Sequence, residues 1–234
     1  MNVKETLLDT LAEADGKYIS GAMLAEKIGV SRNAVWKAVK SLETEGYSID
    51  AVTSKGYRIS AENNRLSEKL IKVSLKTKSF GNNIIIFDEI DSTNNYAKEI
   101  ASSGACNGTV VIADTQISGK GRLGRNFVSP QGKGLYMTVI VRPDFDIQTA
   151  SMITTATACA VANAIEKLCN YDVNIKWVND LYMNGRKICG ILTEASLGME
   201  MKAIDYAVIG IGINVYSSEG SFSRELRASA TSIE

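Results

Sequence analysis

The sequence predicts an α+β protein that combines a small, helix-rich N-terminal domain with a larger mixed-sheet α/β domain. The first 60 residues show helical hydrophobic spacing, whereas the segments after residue 67 alternate between strand-like and helix-like patterns. The length of 234 residues is sufficient for two hydrophobic cores. We therefore assign residues 1–62 to the first domain and residues 67–234 to the second, with a polar linker between them.

The overall composition is that of an ordinary globular protein. Hydrophobic residues make up 45% of the chain and charged residues 22%, which argues against disorder or a fibrous repeat. No apolar run approaches the roughly 20 residues that a bilayer span requires, and the N-terminus lacks a basic region followed by an apolar one. We therefore expect a cytoplasmic protein that does not engage a membrane.

Histidine and cysteine usage limits the chemistry. The chain contains no histidine, and its four cysteines show no C-x-x-C spacing, so no metal-ligand set is predicted. The same absence excludes a Ser-His-Asp triad and an imidazole general base. Any catalysis must therefore use Lys, Arg, Asp and backbone dipoles.

The first domain has the element order of a winged helix-turn-helix. Apolar spacing predicts a helix over residues 3–14, and Ser20 and Ser31 are the predicted N-caps of the next two helices. Gly29 lies between these helices, where a positive φ angle allows a tight turn. Two short strands within residues 47–59 then form a hairpin, the wing.

The charge distribution of this domain is more informative than its total. Residues 1–60 contain eight basic and eight acidic side chains, so their sum does not support nucleic-acid binding. Residues 27–42, however, contain four cations and no acid. A solvated helix face is the alternative interpretation of such a run, but the helix-turn-helix and the wing together favour DNA binding. The candidate DNA contacts on the early turns of the third helix are Ser31, Arg32, Asn33 and Lys37.

The larger domain is predicted to alternate between strands and helices. The predicted strands cover residues 84–88, 109–114, 135–142, 173–177, 181–183, 186–194 and 203–214. The predicted helices cover residues 94–102 and 149–170. Residues 216–234 are predicted to form a helical fragment or a frayed tail.

A glycine- and arginine-rich segment, G-K-G-R-L-G-R, occupies residues 119–125. It matches the G-x-G-x-x-G pattern of dinucleotide-binding folds, but it leads into a strand rather than opening a helix, which argues against that function. A long loop that carries Lys120, Arg122 and Arg125 is suited to fold over a phosphate-bearing ligand. A surface loop with solvated charges is the alternative.

Three further groups are candidates for ligand contacts. Ser92-Thr93-Asn94 stands where a strand passes into a helix, so its hydroxyls, amide and backbone N–H groups converge, although a simple N-cap explains the same residues. Lys187 lies near Gly190, which allows close approach of a ligand, although a lysine in a hairpin is usually only a solvated charge. Asn179-Asp180 follows a strand and is also compatible with an ordinary turn.

Four motifs in this order carry a family resemblance. They are D-S-T-N at residues 91–94, T-Q-I-S-G-K-G-R-L-G-R-N-F at 115–127, K-W-V-N-D at 176–180, and G-R-K-I-C-G-I-L-T-E at 185–194. Together they resemble the signature set of the biotin protein ligases. With the winged N-terminus, the chain resembles the bifunctional ligase and repressor type of that family.

The resemblance implies an activity and its partners. The family joins biotin to ATP with Mg²⁺, giving biotinyl-5′-adenylate and pyrophosphate, and then transfers biotin to a lysine of a biotin carboxyl carrier protein. Bifunctional members also repress biotin genes by binding operator DNA, with the adenylate as corepressor, and form a ligand-linked homodimer. We expect the same of this chain.

The resemblance also implies roles for particular residues. The catalytic residues implied are Lys187, Arg122 and Asp180. The residues implied to bind biotin or the nucleotide are Ser92, Thr93, Asn94, Gln116, Lys120, Gly121, Arg122, Lys187, Gly190 and Asn214. Phe127 is implied to lie against adenine, whereas its pattern alone favours a packing role.

Bifunctional relatives continue into a small C-terminal β-barrel domain, and we expect this domain to be absent from the chain. One alternative is therefore a biotin-sensing transcription regulator with little ligase turnover. A lipoate ligase on a related scaffold is a further alternative, disfavoured by the loop at residues 119–125 and by the winged N-terminus.

Overall fold

The computed structural model describes residues 2–143, 147–197, 204–216, 220, 222 and 224–234. The chain divides into two compact units, Met1–Lys76 and Thr77–Glu234.

The first unit is a winged helix-turn-helix, as predicted. Its helices are α1 (Val3–Glu13), α2 (Gly21–Ile28), α3 (Arg32–Thr44) and α4 (Glu68–Ser74), and its antiparallel wing pairs β1 (Ile49–Val52) with β2 (Gly56–Ile59). The Ser20 and Ser31 hydroxyls accept hydrogen bonds from the backbone N–H groups of Met23 and Ala34, which caps α2 and α3. Gly29 ends α2 with a φ angle of +75°. The local signals in the sequence therefore fix both helix starts and the turn between them.

A small apolar core holds the first unit together. Leu7 and Leu11 of α1 are fully buried, and Leu24 of α2 and Val35 of α3 pack with them. These residues recur at helical spacing, so each helix presents one apolar stripe to its neighbours.

Helix α4 belongs to this first unit, which differs from the predicted boundary after residue 62. Leu70 packs against the core of the unit, and the Lys69 ammonium lies 2.8 Å from the Asp9 carboxylate on α1. The polar stretch over residues 60–67 is a connection within the unit, because the helix that follows it returns to α1.

The second unit contains a seven-stranded mixed sheet in the ranges that the structure describes. The strands are β3 (Ile84–Ile90), β4 (Val110–Gln116), β5 (Gly134–Val141), β6 (Asn174–Lys176), β7 (Asp180–Met183), β8 (Arg186–Leu197) and β9 (Ile204–Asn214), in the order β3-β4-β5-β9-β8-β7-β6. Strands β3 and β4 are parallel, and all other neighbouring strands are antiparallel. This arrangement confirms the predicted mixed-sheet α/β class.

Two helices, α5 (Thr93–Ser102) and α6 (Ile147–Cys169), pack on opposite faces of this sheet. Val208 of β9 contributes to the cluster beneath α5, whereas the neighbouring Ile209 and Ile211 contribute to the cluster beneath α6. Because alternate residues of a strand face opposite sides, this division defines an α5 face and an α6 face.

The C-terminal segment is partly ordered against the sheet. A short helix, α7, spans Arg224–Ser229 and confirms the predicted helical fragment. Ile233 is buried, and its backbone N–H donates to the Asn214 carbonyl at 3.1 Å. The end of the described segment is therefore packed rather than frayed.

No helix within the described ranges is long and apolar enough to cross a bilayer.

We predict that Leu11→Ala destabilises the first unit by about 2–5 kcal/mol, because it removes a fully buried side chain and leaves a cavity. Met23→Ala, at a position that is 61% exposed, serves as the control and should change stability by less than about 0.5 kcal/mol. Hydrogen exchange of the amides in α1 to α3 reports on this unit separately from the sheet. Equal protection of these amides in the two variants would contradict the prediction.

Candidate active site and nucleic-acid interface

A cavity with about 450 Å³ of empty space, including its open mouth, lies over the α5 face of the sheet. Its floor contains Gly190 of β8 and Gly210 and Gly212 of β9, with Gly190 directly opposite Gly212 in the register. A Cβ atom at residue 212 would lie 2.5 Å from the Phe127 ring, and one at residue 210 would lie 2.1 Å from Asn94 Oδ1. The cavity therefore depends on the absence of side chains at these positions.

One end of the cavity is polar and lies at the start of α5. The Gln116 side-chain oxygen accepts from the Thr93 backbone N–H at 2.9 Å and from the Thr93 hydroxyl at 3.1 Å. Ser92 occupies the N-cap position, but its hydroxyl makes no capping hydrogen bond. Its hydroxyl is thus not used in the way that the simple N-cap interpretation requires. The structure places Ser92, Thr93, Asn94 and Gln116 together, as the sequence predicted.

Asn94 is held by groups that sequence analysis missed. Its Nδ2 donates to Glu194 Oε2 at 2.9 Å, and its Oδ1 accepts from the Thr138 hydroxyl at 2.7 Å. Lys98 of α5 donates to the other oxygen of Glu194 at 2.8 Å. Burial acts to raise the pKa of Glu194, but the hydrogen bonds from Lys98 and Asn94 outweigh it and lower the pKa, so Glu194 is ionised at neutral pH.

The other end of the cavity carries a network of charged and amide side chains. Arg122 donates to Asn179 Oδ1 at 2.8 Å, and Asn179 Nδ2 donates to Asp180 Oδ1 at 2.9 Å. The Lys187 ammonium lies 2.8 Å from the same Asp180 oxygen. The three residues that the resemblance marks as catalytic therefore meet in one place.

A second cavity adjoins the first. Both share Gly121, Arg122, Phe127, Asn179 and Lys187 in their linings, and only the second also includes Asp180 and Asn214. Asn214 is positioned by a hydrogen bond from its Nδ2 to the Thr231 carbonyl at 3.0 Å. The ten predicted binding residues thus line two adjoining compartments, with Asn214 in the second.

The glycine- and arginine-rich segment folds as a hairpin over this site. The Gly121 N–H donates to the Arg125 carbonyl at 2.7 Å, and the Phe127 N–H donates to the Gly119 carbonyl at 2.8 Å. This pairing directs Arg122 and Phe127 to the cavities, while Leu123 at the tip is 90% exposed.

Lys120 also lines the first cavity, and its ammonium donates to Asn95 Oδ1 on α5 at 2.5 Å.

Cys189 lies close to Lys187 in β8 but is not available as a nucleophile. Burial raises the pKa of its thiol to about 12, so the thiol stays protonated at neutral pH. The chemistry of the site therefore rests on its cations, its carboxylate and its amides.

The first unit presents a separate candidate surface on α3. Ser31, Arg32, Asn33 and Lys37 are all exposed. Lys27 and Lys40 form ion pairs with Glu13 and Glu43, whereas Arg32 and Lys37 form none among the residues that the structure describes. Trp36, which the sequence analysis did not select, is 49% exposed on the same helix.

The glycine floor also escaped prediction, although a signal was present. Residues 210–214 read G-I-G-I-N, so glycine and isoleucine alternate within one strand. Such alternation places both isoleucines on the α6 face and leaves the α5 face without side chains at two successive positions. This pattern would have indicated a cavity on one face of the strand.

The fold and the two sites together define a ligase-type catalytic domain that follows a DNA-binding domain. Residues 86–214 match the model of the biotin/lipoate A/B protein ligase family, and residues 3–58 match a helix-turn-helix domain model. The chain therefore belongs to the biotin/lipoate A/B protein ligase family.

Relatives and solved structures agree with this family. The chain is 39% identical to the bifunctional ligase/repressor BirA of Bacillus subtilis, over 99% of this chain and 70% of that protein. It is 35% identical to BirA of Escherichia coli over 86% of this chain, and spans 61% of that protein. A biotin protein ligase from Aquifex aeolicus, solved with biotin and ATP, matches with a TM-score of 0.53 and 30% identity, covering 65% of this chain and 60% of that chain.

We predict that Gly212→Ala destabilises the second unit by about 1–3 kcal/mol, because the new methyl group would collide with the Phe127 ring. Gly220→Ala is the control, since a Cβ at that position meets nothing within 4 Å among the residues that the structure describes. Denaturation followed by hydrogen exchange of the sheet amides measures the difference. Equal stability of the two variants would show that Phe127 moves aside without cost.

Proposed function

We propose that this protein is an ATP-dependent biotin protein ligase that also represses biotin genes. The observation that carries the proposal is the pair of adjoining cavities, one with a polar end at the start of α5 and the other lined by Arg122, Lys187 and Asp180. Similarity to bifunctional ligase/repressors over 99% of the chain supports both activities.

The polar end is the proposed site for the ring of biotin. Ser92, Gln116 and Asn94 offer hydroxyl and amide groups there, and the glycine floor gives the ring room to lie against the sheet. The adjoining compartment is the proposed site for the nucleotide, where Phe127 provides an aromatic face for adenine and Asn214 lines the wall.

The first step of the proposed reaction requires charge neutralisation rather than a general base. A carboxylate oxygen of biotin attacks the α-phosphorus of ATP, the bond to the bridging oxygen breaks, and pyrophosphate leaves. Since a carboxylate is already deprotonated at neutral pH, a chain without histidine can perform this step. We assign Lys187 and Arg122, which lie where the cavities meet, to neutralise the charge that develops at phosphorus.

The second step transfers biotin to the carrier. The amine of a carrier lysine attacks the acyl carbon of the adenylate, the bond from carbon to the phosphate oxygen breaks, AMP leaves, and the amine loses a proton. We assign Asp180 to accept a hydrogen bond from the incoming amine, because its carboxylate lines the nucleotide compartment beside Lys187.

Magnesium is proposed to enter with ATP. No group of three or more Cys, Asp or Glu side chains that could hold a metal occurs among the described residues, which fits an ion held mainly by substrate phosphates. Asp180 fits as the protein contact, because Lys187 and Asn179 engage its Oδ1 while its Oδ2 has no hydrogen bond within the described part of the chain. Bound Mg²⁺ would neutralise phosphate charge.

The repressor part of the proposal uses the exposed face of α3. A recognition helix of this type reads base edges in the major groove, and a two-fold operator requires a dimer. We propose that the adenylate favours a homodimer and so acts as corepressor. We propose a cytoplasmic location, because the proposed operator and carrier protein would both be met there.

Pyrophosphate release tests the enzymatic part directly. We expect release that requires both biotin and MgATP, and tighter calorimetric binding of biotin than of lipoate. Binding of biotin without pyrophosphate release would favour a ligand sensor. Preferential binding of lipoate would favour the other substrate class of the family.

We predict that Lys187→Ala slows adenylate formation by roughly 10²- to 10³-fold while changing the Kd for biotin by less than about threefold, because the charge acts mainly in the transition state. Arg186→Ala removes an exposed neighbouring cation of β8 and should affect neither quantity. Rapid-quench measurement of adenylate and calorimetry with biotin give the two numbers. A change confined to biotin affinity would reassign Lys187 to ground-state binding.

We predict that Arg32→Ala lowers operator affinity by roughly tenfold without changing adenylate formation, because the side chain lies on the proposed DNA-reading face. Lys72→Ala, on α4, is the control for loss of one positive charge. Fluorescence anisotropy at fixed salt, with and without biotinyl-5′-adenylate, measures both the contact and its coupling to the ligand. Equal affinity with and without the adenylate would exclude its role as corepressor.

A further inference from the structure

The orientation of the Asn94 amide is determined by its neighbours. The ionised carboxylate of Glu194 can only accept hydrogen bonds, so the Asn94 atom 2.9 Å from it must be the NH₂ nitrogen. The Leu192 carbonyl, 3.4 Å from the same nitrogen, is also an acceptor. Both N–H bonds of the amide therefore have acceptors in the protein.

The oxygen end of the same amide lies at the floor of the cavity. Asn94 Oδ1 is the atom that a Cβ on Gly210 would meet at 2.1 Å, and Gly210 lines the cavity. This oxygen lies 2.7 Å from the Thr138 hydroxyl, whose single proton is shared between it and the Thr93 hydroxyl at 2.8 Å, and a carbonyl oxygen has two acceptor sites. One acceptor site remains for an N–H donor on a ligand.

We propose that Glu194 is a positioning residue that makes the pocket select a ligand ring bearing N–H groups. It does so by fixing the Asn94 amide with its oxygen at the cavity floor. The inference rests on the proposed function, because it explains how a member of a biotin/lipoate family distinguishes its substrates. The ureido ring of biotin carries N–H groups, whereas the dithiolane ring of lipoate has none.

Lys98 determines how an amide side chain at position 194 would be oriented. Its ammonium lies 2.8 Å from Glu194 Oε1, and only an oxygen can face it favourably. In a Glu194→Gln variant the amide oxygen is therefore drawn to Lys98, and its NH₂ group turns towards Asn94. The Asn94 amide must then rotate to present its oxygen to Gln, which removes the acceptor from the cavity floor.

Calorimetry with biotin and with lipoate on the full chain tests this proposal. We expect Glu194→Gln to raise the Kd for biotin roughly 10- to 100-fold, while the Kd for lipoate stays within about threefold. Glu99→Gln is the matched control, because it makes the same change of charge at an exposed position of α5. Its biotin affinity should equal that of the wild type.

A double variant separates positioning from a purely structural role. Adding Lys98→Met removes the ammonium that orients the Gln oxygen, so Gln can accept from Asn94 again. We expect the double variant to regain at least several-fold of the biotin affinity that Glu194→Gln loses. If Glu194→Gln does not fold, the neutral double variant is compared with Lys98→Met alone, and near-equal biotin affinity is expected.

Two results would overturn the inference while leaving the proposed function intact. The first is unchanged biotin affinity in a folded Glu194→Gln variant. The second is a double variant that binds biotin as weakly as Glu194→Gln, since a structural role predicts added damage rather than rescue. Failure of the wild-type chain to bind biotin would instead overturn the proposed function, and this inference with it.

Discussion

The absence of side chains at three glycine positions on one face of β8 and β9 is the constraint on which the ligand site depends. Strands β8 and β9 are hydrogen-bonded on both sides, so their backbones cannot shift to create or fill space. Gly190, Gly210 and Gly212 leave room on the α5 face, and Phe127 and Asn94 occupy the edges of that room. The hairpin that carries Phe127 can therefore fold down over the sheet and close the side of the cavity.

The two ends of the cavity use different physical interactions. The polar end is a chain of hydrogen bonds in which Gln116 and Glu194 fix the side chains at the start of α5. The other end is a network in which Asp180 opposes Lys187 and Asn179 tethers Arg122. Both cations are therefore held by protein groups, Arg122 by Asn179 and Lys187 by Asp180. The phosphate of the proposed nucleotide would compete for them, because it carries more charge and more acceptor oxygens.

In the first unit, the positions of the charged side chains say more about DNA binding than their net charge does. Equal numbers of acidic and basic side chains within residues 1–60 conceal an exposed face of α3 on which Arg32 and Lys37 form no ion pair in the described part of the chain. The neighbouring cations Lys27 and Lys40 are neutralised by ion pairs with Glu13 and Glu43. The cations left for DNA thus concentrate on the early turns of α3, where the N-terminal end of the helix dipole also favours phosphate.

The sequence by itself determined the elements that depend on neighbours in the chain. The caps at Ser20 and Ser31, the turn at Gly29 and the strand alternation in the second unit follow from contacts over a few residues, and so could be predicted. The ordered motifs likewise selected Gln116 and Lys187, which both line the first cavity. Only the tertiary structure decided that α4 returns to α1, and that Glu194 reaches Asn94 across 100 positions of the chain. Local patterns encode hydrogen bonding and periodicity within an element, whereas contacts between distant elements depend on how their faces pack, which no single segment specifies.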